Sequence, residues 1–201
     1  MKKGRITSQN RFRKLIVVTG TPGTGKTMFS MRLAKRIDAE YVSFSRLMER
    51  RKLYSKVDRS RNSKIVNITK ARSYLSKLTS GTERTIIVDS HISGVCPQQF
   101  TKKVLVLRCE PKILEKRLRD RGWNEKKIRE NVLAEILDVC LSEAIDEYGV
   151  RRVEQLITSH SDVDSCVRSA NRILSRQKTK KVLVDWFSKA ALDTSSKYVG
   201  A

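Results

Sequence analysis

The sequence of 201 residues predicts an α/β fold in which a parallel sheet is flanked by helices. Continuous apolar runs over residues 14–19, 85–88 and 103–107 are typical of strands that are buried on both faces of a parallel sheet. Segments with helical periodicity alternate with these runs, and at about 150 residues per domain the chain has room for one such domain. We therefore expect one α/β domain with short extensions.

The first half of the chain begins with a strand that is followed closely by a helix. Gly20 ends the first apolar run, and a mixed three- and four-residue spacing predicts a helix over residues 26–37 that packs on the sheet. The apolar residues that set this spacing are Met28, Phe29, Met31, Leu33, Ala34 and Ile37. Residues 41–44 have the pattern of a second strand.

The second half of the chain contains capping signals that separate its helices. Pro111 predicts the start of a short helix that Arg121 and Gly122 end. Asn124 can cap the next helix, whose apolar face continues to Tyr148, about six turns away. A last strand is expected at 153–157 and a last helix at 163–174, whereas 182–187 shows no clear period.

Positive charge is concentrated at the ends of the chain and in one internal segment. The formal net charge is +22. Residues 1–14 contain six basic and no acidic residues, residues 46–84 contain twelve basic and three acidic residues, and residues 176–201 contain six basic and two acidic residues. A basic excess on a nearly neutral core favours a polyanionic partner, and nucleic acid is the first candidate. We therefore divide the chain into a basic extension over 1–14, a domain over 15–175 and a basic extension over 176–201.

The sequence contains no signal for a membrane or for secretion. No apolar run reaches about 18 residues, and no apolar segment follows the basic residues at the start of the chain. The four cysteines lack the paired spacing of zinc ligands, so we interpret them as reduced, small, buried side chains. These observations predict a cytoplasmic protein, with a nuclear pool if the source is eukaryotic.

Residues 20–27, Gly-Thr-Pro-Gly-Thr-Gly-Lys-Thr, match the phosphate-loop pattern GxxxxGK[ST] between a predicted strand and a predicted helix. Backbone N–H groups of such a loop and the helix dipole hold a polyphosphate, and Lys26 is expected to reach its β- and γ-phosphates. Thr27 is expected to supply a hydroxyl to Mg²⁺. The predicted ATP-binding residues of this segment are Gly23, Thr24, Gly25, Lys26, Thr27 and Met28.

A carboxylate and a histidine follow the buried strand at 85–88. Asp89 lies where that strand ends, at the edge of the sheet where open α/β folds bind ligands, and it fits a carboxylate that holds Mg²⁺ through water. His91 is close enough to orient an attacking water or an acceptor phosphate, although an ordinary loop histidine is the alternative.

Three motifs together resemble one family of P-loop kinases: the phosphate loop, Asp89-Ser90-His91, and the segment Arg-Gly-Trp-Asn-Glu-Lys-Lys at 121–127. The family is the atypical adenylate kinases that double as ribosome-assembly ATPases, also described as coilin-interacting nuclear ATPases. The resemblance covers residues 15–174 and suggests an archaeal-like member.

The resemblance implies a nucleoside monophosphate kinase fold with a monophosphate-binding arm at about 43–67 and a short lid at about 120–130. It implies an adenylate kinase that converts ATP and AMP to two ADP, has ATPase activity and uses Mg²⁺. Arg121 matches the lid arginine that contacts ATP, and we group it with Lys26, Asp89 and His91 as catalytic. A small-subunit ribosomal protein and pre-ribosomal RNA are the implied partners.

The arm of this sequence departs from the family, in which the corresponding stretch is often acidic. Residues 50–61 are strongly basic. Arg46 and Arg50 lie four residues apart on an expected helix, where they could grip the phosphate of AMP, but the same segment could instead face RNA.

Three functions therefore remain open at this stage. The first is an adenylate kinase with ATPase activity that acts in small ribosomal subunit maturation. The second is a nucleotide-switched RNA-binding assembly factor with little kinase activity. The third is a P-loop kinase with another acceptor, either a polynucleotide or a small metabolite.

Overall fold

The computed structural model describes residues 14–58, 63–175, 177, 184–192 and 198. Most of the two predicted basic extensions lies outside these residues. The described chain contains a five-stranded parallel sheet with helices on both faces, which confirms the predicted fold class.

The parallel sheet has the strand order β2-β5-β1-β6-β7. Its strands are β1 (Leu15–Thr19), β2 (Glu40–Ser43), β5 (Ile86–Asp89), β6 (Thr101–Arg108) and β7 (Val153–Ile157). Two further strands, β3 (Tyr54–Asp58) and β4 (Ser63–Val66), form a separate antiparallel hairpin.

Seven helices surround the sheet and the hairpin within the described chain, and an eighth lies near its end. They are α1 (Lys26–Arg36), α2 (Phe44–Arg51), α3 (Ile68–Ser80), α4 (Pro111–Arg119), α5 (Glu125–Ile136), α6 (Val139–Tyr148), α7 (Val163–Leu174) and α8 (Trp186–Leu192). The expected strand at 41–44 ends one residue early, because Phe44 begins α2.

Burial on both faces explains the continuous apolar runs. Alternate residues of β1 point to opposite sides: Leu15 and Val17 belong to the core that contains Leu75 of α3. Ile16 and Val18 belong to the core that contains Leu33 of α1, and α7 packs on the same side. Each face is therefore covered, and an alternating polar pattern is absent from β1.

The single helix expected from Asn124 to Tyr148 is wrong. The helix ends at Ile136, because Asp138 adopts a φ of +57°, and a new helix, α6, begins at Val139. Aspartate tolerates this left-handed conformation, and its carboxylate accepts a hydrogen bond from Arg108. The interaction that stabilises the break therefore involves a residue 30 positions away. The predicted Asn124 cap is confirmed, since its side chain accepts a hydrogen bond from Lys127 N.

The described part of the last segment docks on the domain. Trp186 of α8 is buried, and α8 contacts α5. Tyr198 packs against the apolar cluster that α4 and α5 share. No helix within the described residues combines the length and the apolar character that crossing a membrane requires.

Candidate active site

The phosphate loop occupies the expected turn between β1 and α1. Gly20, Gly23 and Gly25 have φ values of +136°, +98° and +91°, which an L side chain rarely adopts. Gly20 is also tightly packed, because a Cβ atom there would lie 2.4 Å from the carbonyl oxygen of Leu107. All three glycines therefore allow the shape of the loop, and Gly20 additionally allows β6 to approach closely.

Lys26 folds back over this loop. Its Nζ donates to the carbonyl oxygens of Gly20 at 2.7 Å and Thr21 at 3.1 Å. Burial lowers the pKa of Lys26, and the Arg121 guanidinium lowers it further, while Asp89 acts in the opposite direction. The ammonium is thus held at the loop, in position to exchange its carbonyl partners for phosphate oxygens.

Asp89 and Thr27 meet at the carboxyl end of the sheet. Thr27 Oγ1 donates to Asp89 Oδ2 at 2.8 Å, and the hydroxyl of Tyr41 donates to the same oxygen at 3.3 Å. The register between β2 and β5, in which Tyr41 pairs with Ile87 and Ser43 with Asp89, brings the tyrosine to this position. Burial and the Asp89 carboxylate raise the pKa of Tyr41. Sequence reasoning missed Tyr41, because only the pairing of the two strands connects it to Asp89.

These oxygen donors fit Mg²⁺, although the described residues contain no cluster of three or more histidine, cysteine or acidic side chains. A threonine hydroxyl and one carboxylate are the hard ligands that Mg²⁺ accepts when phosphates and water complete its octahedron. The contact between Thr27 and Asp89 places both donors on one side of the phosphate loop.

His91 lies beyond Asp89 at the edge of the same cleft. Its side chain remains partly open to solvent, yet the protein around the ring removes enough water to lower the pKa of His91. The Lys26 ammonium lowers this pKa further, whereas Asp89 raises it. The lowered pKa favours the neutral imidazole, in which one ring nitrogen is a hydrogen-bond acceptor.

One cleft of about 730 Å³ brings most of the predicted site together. Its lining includes the predicted residues Gly23, Gly25, Lys26, Thr27, Met28, Arg46, Asp89, His91 and Arg121. It also includes five residues that were not predicted as site residues: Pro22, Met31, Arg32, Ser43 and Ser45. Arg50 is exposed on α2 and is not among the described residues that line this cleft.

A second cavity of about 200 Å³ opens on the other side of the loop. Thr24, Arg117, Arg121 and Thr158 are among its lining residues. Thr158 Oγ1 lies 2.9 Å from the carbonyl oxygen of Thr24, which ties the loop after β7 to the phosphate loop. Arg121 lines both cavities, as do Gly23, Gly25 and Met28.

The arginines near the expected lid have different surroundings. Arg117 donates to the carbonyl oxygen of Thr158 at 2.9 Å. Arg119 pairs instead with Glu115 and Glu125. Arg121 is therefore the arginine of this group that faces both the main cleft and the second cavity.

Met28 and Met31 do not pack on the sheet as the helical pattern predicts. Each side chain is 54% exposed, and both line the main cleft. The buried face of α1 consists instead of Phe29, Ser30, Leu33 and Ala34. The two thioethers add apolar surface to a cleft whose other groups include four cations.

Comparisons with known proteins agree with this geometry. The AAA domain family matches residues 16–138 of the chain. The "putative adenylate kinase" of Methanocaldococcus jannaschii is 34% identical over 174 residues, which cover 87% of this chain and 93% of that protein. The adenylate kinase isoenzyme 6 homolog of Caenorhabditis elegans is 33% identical over 150 residues, which cover 75% of this chain and 82% of that protein.

Solved structures share the fold at much lower identity. Shikimate kinase from Acinetobacter baumannii superposes with a TM-score of 0.56 at 14% identity, over 85% of this chain and 97% of that one. Gluconokinase from Sinorhizobium meliloti gives a TM-score of 0.53 at 16% identity, over 83% and 94% of the two chains. At these identities the similarity supports the P-loop kinase fold alone.

Proposed function

We propose a reaction for this chain, which belongs to the adenylate kinase-like family of AAA-domain proteins. It transfers the γ-phosphoryl group of ATP to AMP and releases two ADP. The chain is a nucleotide kinase, and its relatives carry adenylate kinase names. One observation supports the proposal most strongly: Lys26, Arg121 and Arg46 line one cleft, which also contains Thr27 and Asp89.

The ATP half of the cleft follows from the phosphate loop. Its backbone N–H groups and Lys26 would hold the β- and γ-phosphates. The smaller cavity beside Thr24 and Thr158 would take the adenine, since it adjoins the loop and has the volume of a base rather than of a whole nucleotide. Arg121 lines both spaces, so that it would contact the triphosphate between them.

The metal position of the proposed reaction is the pair Thr27 and Asp89. These two residues would hold Mg²⁺, which would supply positive charge that offsets the charge of the phosphates. The Thr27 hydroxyl would turn from Asp89 Oδ2 to the ion, and Asp89 would hold a water of its coordination shell.

The acceptor half is the part of the cleft that adjoins α2. Ser43, Ser45 and Arg46 line it, and the arm at 43–67 would close over AMP. Arg46 would hold the AMP phosphate, and the exposed Arg50 would contribute at longer range. The lid at 120–130 would exclude water from the other side of the reaction.

Phosphoryl transfer in this cleft needs few covalent steps. An oxygen of the AMP phosphate attacks the γ-phosphorus, and the bond from that phosphorus to the β–γ bridging oxygen breaks, so that ADP leaves. Lys26 and Arg121 stabilise the charge that develops on the transferred group. His91 orients the acceptor, or accepts a proton from water when AMP is absent, which accounts for the proposed ATPase activity.

An acceptor screen tests this function directly. ADP formation is measured with ATP and each of AMP, other nucleoside monophosphates, a 5′-hydroxyl RNA and buffer alone. We expect AMP to raise the rate at least about tenfold over buffer, and R46Q to raise the KM for AMP without changing the KM for ATP. K77Q in the exposed last turn of α3 is the control for loss of one surface charge. ADP formation that is independent of AMP would contradict the proposal.

A second function is favoured by the charge of the arm. Arg51, Lys52 and Lys56 are exposed at and beyond the end of α2, and the whole chain carries +22. This surface supports a cytoplasmic role in small ribosomal subunit maturation, with pre-ribosomal RNA and a small-subunit ribosomal protein as partners and ATP turnover as the release step.

The salt dependence of RNA affinity tests the second function. The logarithm of the affinity for a structured RNA should fall linearly with the logarithm of the salt concentration, with a slope of about 0.7–0.9 per phosphate contact. K52Q/K56Q should reduce the slope by the amount that corresponds to roughly one to two phosphate contacts. K35Q/K77Q, at two exposed lysines outside the arm and the lid, is the matched control for the loss of two charges. A slope near zero, or binding to a ribosomal protein alone, would contradict the RNA role.

A further inference from the structure

A buried carboxylate lies directly beneath the phosphate loop. Glu135, in the last turn of α5, is 2% exposed. Its Oε2 accepts a hydrogen bond from Thr21 Oγ1 at 2.6 Å, and its Oε1 accepts from Arg108 Nε at 2.8 Å and from Cys109 N at 3.0 Å. Glu135 therefore joins α5, the end of β6 and the phosphate loop.

Thr21 is the residue through which this carboxylate reaches the site. Its side chain is buried, and its carbonyl oxygen accepts from Thr24 N at 3.2 Å and Thr24 Oγ1 at 2.9 Å. The same carbonyl accepts from Lys26 Nζ at 3.1 Å. A movement of Thr21 would thus displace the turn of the loop and the lysine together.

Arg108 holds the carboxylate in a fixed place. Beyond its contact with Glu135 Oε1, its guanidinium donates to the carbonyl oxygen of Glu135, to Gln155 Oε1 and to Asp138. A buried ion pair of this kind is often replaceable by apolar side chains without loss of stability, so stability alone is a weak reason for it. The oxygen that Arg108 leaves free is the one that holds the loop.

We infer that Glu135 is a positioning residue for phosphoryl transfer: through the Thr21 hydroxyl it holds the phosphate loop, and with it Lys26, in the geometry that receives ATP. The inference rests on the proposed assignment of this loop to the ATP phosphates. Because α5 starts in the proposed lid and carries Glu135 in its last turn, one helix connects the lid to the phosphate loop.

The test compares two variants that differ only in the hydroxyl, T21S and T21A. We expect T21S to remain within about threefold of the parent in kcat/KM for ATP and in its dissociation constant for ATP, and T21A to be at least about tenfold worse in both. T79S and T79A are the matched controls, because Thr79 is equally buried and its hydroxyl bonds to the carbonyl oxygen of Leu75 in α3.

Thermal unfolding and calorimetric binding of ATP are measured on all four variants. A merely structural role predicts that T21A and T79A lose stability alike and keep the kinetic constants of their serine counterparts. Equal kinetic constants for T21S and T21A would overturn the inference.

E135Q and E135M decide the question if T21A does not fold at the assay temperature. The amide of E135Q can accept from Arg108 and Cys109 and donate to Thr21, so a folded E135Q should keep its dissociation constant for ATP within about threefold. Methionine fills a similar volume but offers Thr21 no comparable hydrogen bond, so a folded E135M should bind ATP at least about tenfold more weakly. Equal ATP affinity of E135Q and E135M would overturn the inference. Parent protein that binds ATP but shows no AMP-dependent ADP formation would contradict the proposed function alone, because the binding comparison remains.

Discussion

Substitution of Lys26 by methionine is the most direct test of the catalytic site. Methionine keeps most of the length of the side chain and removes the ammonium that donates to the carbonyl oxygens of Gly20 and Thr21. In the proposed reaction this group stabilises charge on the transferred phosphoryl group. We therefore expect K26M to separate catalysis from folding.

The expected magnitudes differ for the two properties. Removal of one preorganised donor from a reaction centre costs about 10²–10³ in kcat, or roughly 2.7–4 kcal/mol. For folding, K26M loses two hydrogen bonds that the charged ammonium donates, which lowers the free energy of unfolding. It also removes the cost of burying that charge, the same cost that lowers the pKa of Lys26, and this raises the free energy of unfolding. These terms partly cancel, and we expect the free energy of unfolding to change by less than about 2 kcal/mol.

The assay is AMP-dependent ADP formation, accompanied by urea unfolding of each protein. K35M is the matched control, since Lys35 belongs to the same helix and is exposed to solvent. It should retain the kinetic constants of the parent. Turnover of K26M within about threefold of the parent, in a preparation free of other kinases, would refute the assignment of the phosphate loop.

Three further predictions concern the metal, the histidine and the loop backbone. D89N should raise the Mg²⁺ concentration for half-maximal rate at least about tenfold, because it removes the negative charge beside the proposed metal position and changes little volume; an unchanged Mg²⁺ dependence would exclude Asp89. Since burial lowers the pKa of His91, its ring stays neutral to a lower pH than an ordinary histidine does, so kcat should hold through the neutral range and fall only on the acid side of the ordinary histidine pKa. H91A should lower kcat about tenfold and abolish the fall of kcat at low pH, while its affinity for ATP persists. If kcat of H91A still falls at low pH, the titrating group is a different residue. G122A should cost about 1–2 kcal/mol of unfolding free energy through its positive φ alone, whereas G20A should cost more because its Cβ meets the carbonyl oxygen of Leu107. Equal losses would contradict the close packing of Gly20.

Local signals account for the predicted residues that the structure brings together in one cleft. The apolar run before Gly20 and the loop that follows it are contiguous in the chain, so the strand, the turn and Lys26 could be assigned together. Asp89 was recognisable because it ends a buried strand, and parallel strands end at one edge of a sheet.

Residues that act through distant pairing could not be assigned in this way. Tyr41 reaches Asp89 because β2 pairs with β5 across 48 residues, and no motif marks that pairing. The hairpin of β3 and β4 escaped prediction, since its short strands lack a fully buried face. Met28 and Met31 were predicted to pack on the sheet, but they line the main cleft. Helical periodicity identifies apolar positions, but it does not distinguish those that contact the sheet from those that border a cleft.

By itself the sequence determined the α/β class, the phosphate loop and the helix caps, because each depends on residues a few positions apart. Only the tertiary structure decided the strand order, the break at Asp138 and the bond from Thr21 to Glu135 across 114 residues. The reason is that a buried carboxylate needs partners from several elements, and the crossovers of the parallel sheet decide which elements meet.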